Sequence, residues 1–176
     1  MRVRVMQAQV SSRARPRLLR GNRMPAATPS DEHVQMQIRT LLDEQRFGVL
    51  ATRDGEQPYA SLIAISPAED LRTIFFGTLR ATRKLRNLMR EPRAALLIDS
   101  RQNLAADVAE AEALTVLGQV QEVAGDQAGR VRTLLIAQAP HLERFYQAPS
   151  CALLAFTVER YIRVSRFQEV TELVMR

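Results

Sequence analysis

The stretches Phe47 to Thr52, Gln57 to Ser66 and Arg72 to Thr78 each have the apolar, β-branched and aromatic content of a strand, and they follow one another across short breaks. Asp54-Gly55 separates the first two and is a strong hairpin turn, while Pro67 to Asp70 separates the second and third. Parallel neighbours need a crossover of a dozen or more residues, and there is no room for one here. The chain must therefore build an antiparallel meander, which excludes a doubly wound parallel sheet at its core.

The flanking segments fit around that meander. Ser30 followed by Asp31 and Glu32 reads as an N-cap with acids in the first turn, and Val34, Ile38, Leu41 and Leu42 recur at helical spacing to about Gln45. A short helix is expected from about Ala81 to Arg90, closed by Glu91-Pro92, then a buried strand from Arg93 to Asp99. Ser100 to Glu110 is polar and loop-like. Strand character returns from Ala113 to Val123, followed by an amphipathic helix from Gly125 to Gln138 carrying Val131, Leu134 and Leu135. Cys151 to Ser165 ends the expected fold as one long strand or two shorter ones. About six strands with short helices between them describe a mainly β protein, a β-barrel with helices at its rim.

Charge is divided unevenly. Of 25 Lys+Arg, seven arginines from Arg2 to Arg23 precede the first acid, Asp31, leaving 18 basic against 19 acidic residues, a net of −1. Residues 1–30 read as a disordered basic tail, because Pro16, Gly21, Pro25 and Pro29 interrupt any helix, and residues 31–176 form the domain. The tail has no aromatic among its arginines on which a base could stack, so the pI of about 10.6 is poor support for nucleic-acid binding. No run of 18 apolar residues offers a membrane span, and the single cysteine, Cys151, suits a reducing, cytoplasmic setting.

One segment departs from ordinary patterning. In Thr78-Leu-Arg-Ala-Thr-Arg-Lys-Leu-Arg-Asn-Leu, Arg80, Arg83, Lys84 and Arg86 crowd the start of the expected short helix, and no acid occurs before Glu91. The helix N-terminus is already the positive end of the macrodipole, so each cation there is unfavourable by roughly 0.3–1 kcal/mol. A bound anion reverses the sign. Free N–H groups, the Thr82 hydroxyl and two or more cations make a phosphate site. Lys84 is the one lysine of the chain, and it falls inside this cluster.

With these residues in view, Gln57-Pro58-Tyr59, Phe75-Phe76-Gly77-Thr78, Thr82-Arg83-Lys84 with Asn87-Leu88, and Glu91-Pro92-Arg93 resemble, in order and spacing, the pyridoxamine 5′-phosphate oxidase-like flavoproteins. The resemblance runs from about Gln35 to the C-terminus and implies an FMN-binding split β-barrel. It implies that Thr82, Arg83 and Lys84 hold the FMN phosphate, and that Phe76, Gly77 and Thr78 approach the ribityl chain and phosphate. The strand Ser61, Leu62, Ile63 and Ala64 would lie along the isoalloxazine edge, and Arg101 near the flavin. It further implies a homodimer with FMN at the interface and a small-molecule substrate.

The chain departs from true pyridoxamine phosphate oxidases where they bind the substrate phosphate. Ser61 and Ser66 stand at positions of Arg and Lys, Ala113 replaces a flavin-contacting glutamine, and no C-terminal Arg-x-His occurs between Tyr161 and Arg176. The expectation is an FMN-dependent oxidoreductase with another substrate. The alternatives are a non-catalytic flavin or haem binding protein, or a reductase using the deazaflavin F420, whose phosphate the same cluster would serve. His33 and His141 are the only histidines and each falls near a helix end, a poor basis for an axial haem ligand or, with one cysteine, for zinc. Neither G-x-S-x-G nor G-x-G-x-x-G is present. No side chain is singled out as a catalytic acid or base.

Overall fold

The computed structural model describes residues 2–7, 30–166 and 169–175. Among the described residues nine strands form one antiparallel sheet: β1 (Arg2–Gln7), β2 (Phe47–Asp54), β3 (Gln57–Ala64), β4 (Ser66–Pro67), β5 (Thr73–Leu79), β6 (Arg93–Asp99), β7 (Ala113–Glu122), β8 (Cys151–Ser165) and β9 (Glu169–Val174). The helices are α1 (Asp31–Glu44), α2 (Arg83–Arg90), α3 (Asp107–Glu110), α4 (Gly125–Gln138) and α5 (Glu143–Gln147), with a 3₁₀ turn at Pro140–Leu142. The main path of the sheet is β1-β9-β8-β7-β6-β2-β3, and β5 joins it by pairing with β8 while carrying β4 on its other edge.

The split in the barrel is made by β8. Its first half, Cys151 to Thr157, pairs with β5, and its second half, Arg160 to Ser165, pairs with β9 on that same edge. The handover lies at Val158 and Glu159, where the Val158 amide donates to the Arg72 carbonyl and the Glu159 carbonyl accepts from Met175. On the opposite edge β7 runs alongside both halves, with a register shift between Leu117 and Gly118 that leaves Glu159 as the extra residue. Gly118 is required at this bend: a Cβ there would stand 2.0 Å from the Thr157 carbonyl oxygen.

Alternation along the strands sorts side chains onto two faces. Leu50, Ile74, Phe76, Leu96, Ile98, Leu114, Val116, Phe156 and Tyr161 turn inward, and α1 contributes Val34, Ile38, Leu41 and Leu42 to the same core. Fully burying a side chain of the size of Phe76 or Phe156 contributes about 1.5–3 kcal/mol. Tyr161, fully buried, donates its hydroxyl to the Leu71 carbonyl at 2.7 Å, and Arg39 holds the neighbouring Ala68 and Glu69 carbonyls. The β4–β5 connection, with Leu71 in the left-handed region (φ 59°), is thereby held from two sides. A second, smaller core of Val131, Leu135, Tyr146, Cys151 and Leu153 lies under α4 and α5.

The meander, the Asp54-Gly55 hairpin, α1 with Ser30 as its cap, and β8 as one continuous strand agree with the sequence reading. Two differences concern the ends of the chain. The fold does not stop at Ser165, because Glu169–Val174 returns as β9. Arg2–Gln7, expected within the disordered tail, pairs with β9 as β1, while residues 8–29 lie outside the described residues. Both strands are short stretches whose signal is weak until an open sheet edge supplies the missing hydrogen bonds.

Candidate functional site

α2 begins where β5 ends, and two contacts fix its position. Inside the barrel the buried Asn87 carboxamide donates to Thr52 Oγ1 on β2 at 3.0 Å. Leu85 and Leu88 bury the same side of the helix. The N-terminus of α2 is thus held over the far end of the β2–β3 hairpin. There Arg83 Nε lies 3.4 Å from Asp54 Oδ2, and its guanidinium carbon lies 5.4 Å from the centre of the Tyr59 ring.

The first turn of α2 is built unlike that of α1. In α1, Ser30 Oγ accepts from the His33 amide and two acids complement the dipole. In α2, Thr82 occupies the N-cap but its side chain makes no capping bond; it donates to the Leu79 carbonyl at 2.8 Å and lies 3.2 Å from the Thr78 hydroxyl. No acid occurs in the first turn. Among the described residues no side chain caps the N–H groups at this end, in a setting of two threonine hydroxyls and the cations Arg83 and Lys84. Lys84 is half-buried and has no carboxylate partner among the described residues. An anion with several acceptor oxygens matches this donor set.

The other two cations of the cluster have different work. Arg80 forms an ion pair with Glu122 at 2.6 Å and donates to the Pro149 carbonyl, and the Glu122 hydrogen bond raises its pKa. Arg86 turns back to the Ala81 carbonyl at 3.4 Å. Sequence spacing cannot separate these two from Arg83 and Lys84, because their partners lie on β7 and on the helix's own leading turn.

The remaining residues expected to contact the flavin sit as follows. Thr78 is buried and reaches Thr82. Phe76 turns its ring into the main core, leaving only backbone for a ligand, and Gly77 is packed against Tyr146, where a Cβ would come within 2.8 Å. Along β3, Ser61 and Ile63 face inward, while Leu62 and Ala64 face outward, with Leu62 65% exposed. The Ser61 hydroxyl is buried without a hydrogen-bond partner among the described residues. Arg101 is not brought to α2. It pairs with Asp99 at 3.1 Å, beyond the Leu97 that lies opposite Val49, hence towards the Phe47 end of β2. Arg83 is at the Asp54 end, about 20 Å away along the strand.

Two features had no counterpart in the sequence reading. The outer face of the sheet is an apolar surface in which Leu62, Val49, Leu97, Thr115 and Ile162 stand side by side on five successive strands. Leu97, in the middle of the row, is 38% exposed, and Phe47 (57% exposed) enlarges the surface. The other feature is a cleft of about 390 Å³ lined by Phe47, Ala64, Ser66, His141 and Tyr146 among others. Among the described residues no group of three or more His, Cys, Asp or Glu could hold a metal ion, and no helix is long and apolar enough to cross a membrane.

Comparison with known proteins places this architecture. A heme binding protein from Mycobacterium smegmatis superposes with a TM-score of 0.72 at 19% identity, over 85% of this chain and 60% of that one. This chain thus spans about 60% of that protein's length. HutZ, the heme storage protein from Vibrio cholerae, gives 0.63 at 18% identity over 71% of this chain and 89% of its own. A FAD-binding protein from Mesorhizobium loti gives 0.59 at 14% identity, covering 78% and 92%. At these identities the likeness establishes a shared fold, the split barrel. Comparison with curated proteins returns no match. The family description pyridoxamine 5′-phosphate oxidase matches residues 34–164, a span from α1 almost to the end of β8 that contains the uncapped α2 and its cations. The chain belongs to the pyridoxamine 5′-phosphate oxidase family.

Proposed function

We propose that this protein binds FMN, with the phosphate at the N-terminus of α2, and acts as an FMN-dependent oxidoreductase on a small-molecule substrate. The observation that carries the reading is the first turn of α2. It has no side-chain cap and no acid, and it bears Thr82, Arg83 and Lys84 beside the Thr78 hydroxyl. These residues fit a phosphate monoester in charge, in donor number and in the direction of the helix dipole. Bound FMN would supply the electron or hydride chemistry, while the protein holds and orients it. Arg83 and Lys84 would neutralise the phosphate, and the Ser61–Ala64 strand would offer backbone groups to the ring system.

The outer sheet face supports a homodimer. Contiguous exposed apolar surface on a sheet is costly in water, and a second copy of the same chain would cover Phe47, Leu62 and Leu97. Arg101, exposed at the Phe47 end of β2, would then face the partner's flavin rather than its own.

A second reading, haem binding without turnover, draws on the names of the Mycobacterium smegmatis and Vibrio cholerae proteins and on His141, which lines the cleft. The absorbance spectrum of the purified protein separates the two readings, and it also separates FMN from F420. FMN is expected to bind at micromolar concentration, and riboflavin, which lacks the phosphate, at least about a hundredfold more weakly. Equal affinity for both would remove the phosphate assignment, and no uptake of FMN would end the flavin reading.

A further inference from the structure

The cleft opens between the C-terminal end of α1, the start of β2, the β3–β4 join and the turn after α4. Its volume of about 390 Å³ is that of a site for a small molecule rather than a chain or surface. The walls are mostly apolar, with Leu42, Phe47, Leu135, Leu142 and Tyr146 enclosing it.

One polar group on this lining is unpaired and a second is only weakly held. Ser66 is 1% exposed, and its hydroxyl has no hydrogen-bond partner among the described residues. A buried hydroxyl in that state is unfavourable unless something supplies an acceptor. Arg46 reaches only the Gln138 carbonyl, at a long 3.4 Å, and forms no ion pair among the described residues. The acid on the same wall, Asp43, is engaged by Arg39 at 3.2 Å. The Ile65 amide donates to the Arg46 carbonyl at 3.0 Å, so Arg46 lies across from the residue before Ser66, and both line the cleft. A cation with no ion-pair partner among the described residues, an unsatisfied donor and an apolar enclosure together call for a compact apolar body ending in an anionic acceptor.

We propose that this cleft binds a small aromatic carboxylate, its ring against Phe47, Leu135 and Leu142 and its carboxylate shared between Arg46 and Ser66. Phe47 and Ala64 border both the cleft and the Ser61–Ala64 strand, so a molecule seated here lies at the strand proposed to carry the flavin ring. Its role as substrate rests on the flavin reading; its binding does not.

The probe is benzoate, with neutral benzamide beside it, titrated into the full chain without added flavin and followed by calorimetry or saturation-transfer NMR. Benzoate is expected to bind, and Arg46→Gln to weaken it about tenfold or more while leaving benzamide unchanged. Ser66→Ala removes a hydroxyl the fold does not use and is expected to weaken both probes about three- to tenfold. Arg46 is exposed, so its variant reports on the cleft rather than on folding. No benzoate binding at millimolar concentration, or affinity unmoved by both variants, overturns the assignment. Repeating the titration on FMN-loaded protein tests the substrate role. A shifted flavin spectrum supports it, and binding that leaves the spectrum unchanged overturns it. A chain that takes benzoate but no FMN overturns the flavin reading and leaves the cleft assignment standing.

Discussion

The Asn87 side chain, buried one helical turn beyond Arg83, donates to Thr52 Oγ1 at 3.0 Å, and Thr52 lies opposite Tyr59, whose ring sits beneath the Arg83 guanidinium. A polar contact inside the barrel thus sets where the cationic turn of α2 stands on the surface. Asn87→Ala leaves the buried Thr52 hydroxyl with only its long 3.4 Å contact to the Tyr59 carbonyl. It is expected to destabilise the fold by about 1–3 kcal/mol in urea unfolding, and to weaken FMN binding although Asn87 is not among the residues proposed to hold the phosphate.

Lys84 carries no competing carboxylate, whereas Arg83 is shared with Asp54 and Tyr59. Lys84→Ala is expected to lower FMN affinity about tenfold and Arg83→Ala by less, with the double variant losing about the product of the two, below a hundredfold, as flavin fluorescence quenching would record. Riboflavin affinity should not change. Parallel loss for riboflavin would mean that the residues support the fold and not the phosphate.

Gly118→Ala places a methyl 2.0 Å from the Thr157 carbonyl oxygen and 2.7 Å from the Phe156 ring, at the bend where β8 changes partners. Backbone cannot retreat as a flexible side chain can. A loss of about 3 kcal/mol or more is expected, seen as a lowered urea midpoint.

Charge on the outer sheet face tests the dimer. Leu62→Glu with Leu97→Glu alters two exposed residues that are not part of the core, so the monomer should keep its circular dichroism spectrum. Light scattering is expected to show twice the monomer mass for the parent chain and the monomer mass for the variant. A parent chain that already runs as a monomer would refute the interface.

Glu91 accepts from the Arg93 side chain at 2.9 and 3.0 Å and from its amide at 3.2 Å, which lowers its pKa from 4.5 to about 2. A depressed folded-state pKa contributes stability that is full above pH 4.5 and disappears as pH falls through about 2. The pair is exposed, so the contribution is small and screened by salt. The stability difference between the parent chain and Glu91→Gln should be constant above pH 4.5 and shrink steadily towards pH 2.

Much of the fold was legible along the chain because it is locally encoded. The Asp54-Gly55 turn closes the β2–β3 hairpin, Ser30 caps α1 over its acids, and the 3.6-residue recurrence of Val34, Ile38, Leu41 and Leu42 marks the buried side of that helix. β1 and β9 were not legible, since a six-residue strand on a sheet edge depends on a partner far away in sequence. Within the candidate site, the excess of cations at the start of α2 could be read directly. The assignment of Arg80 to Glu122, 42 residues away, could not.

By itself the sequence determined an antiparallel meander, a basic helix start with no acid to balance it, and an arginine excess confined to the first 23 residues, with the rest nearly neutral. These follow from turn chemistry, periodicity and the dipole of a single helix, all of which act over a few residues. Only the tertiary structure decided that Arg80 and Arg83 are paired while Lys84 has no carboxylate partner among the described residues, which strand face remains apolar and open, and that Ser66 and Arg46 line one cleft. Those outcomes depend on strand register and on where β8 bends, and register couples residues that are distant along the chain through hydrogen bonds no local pattern contains.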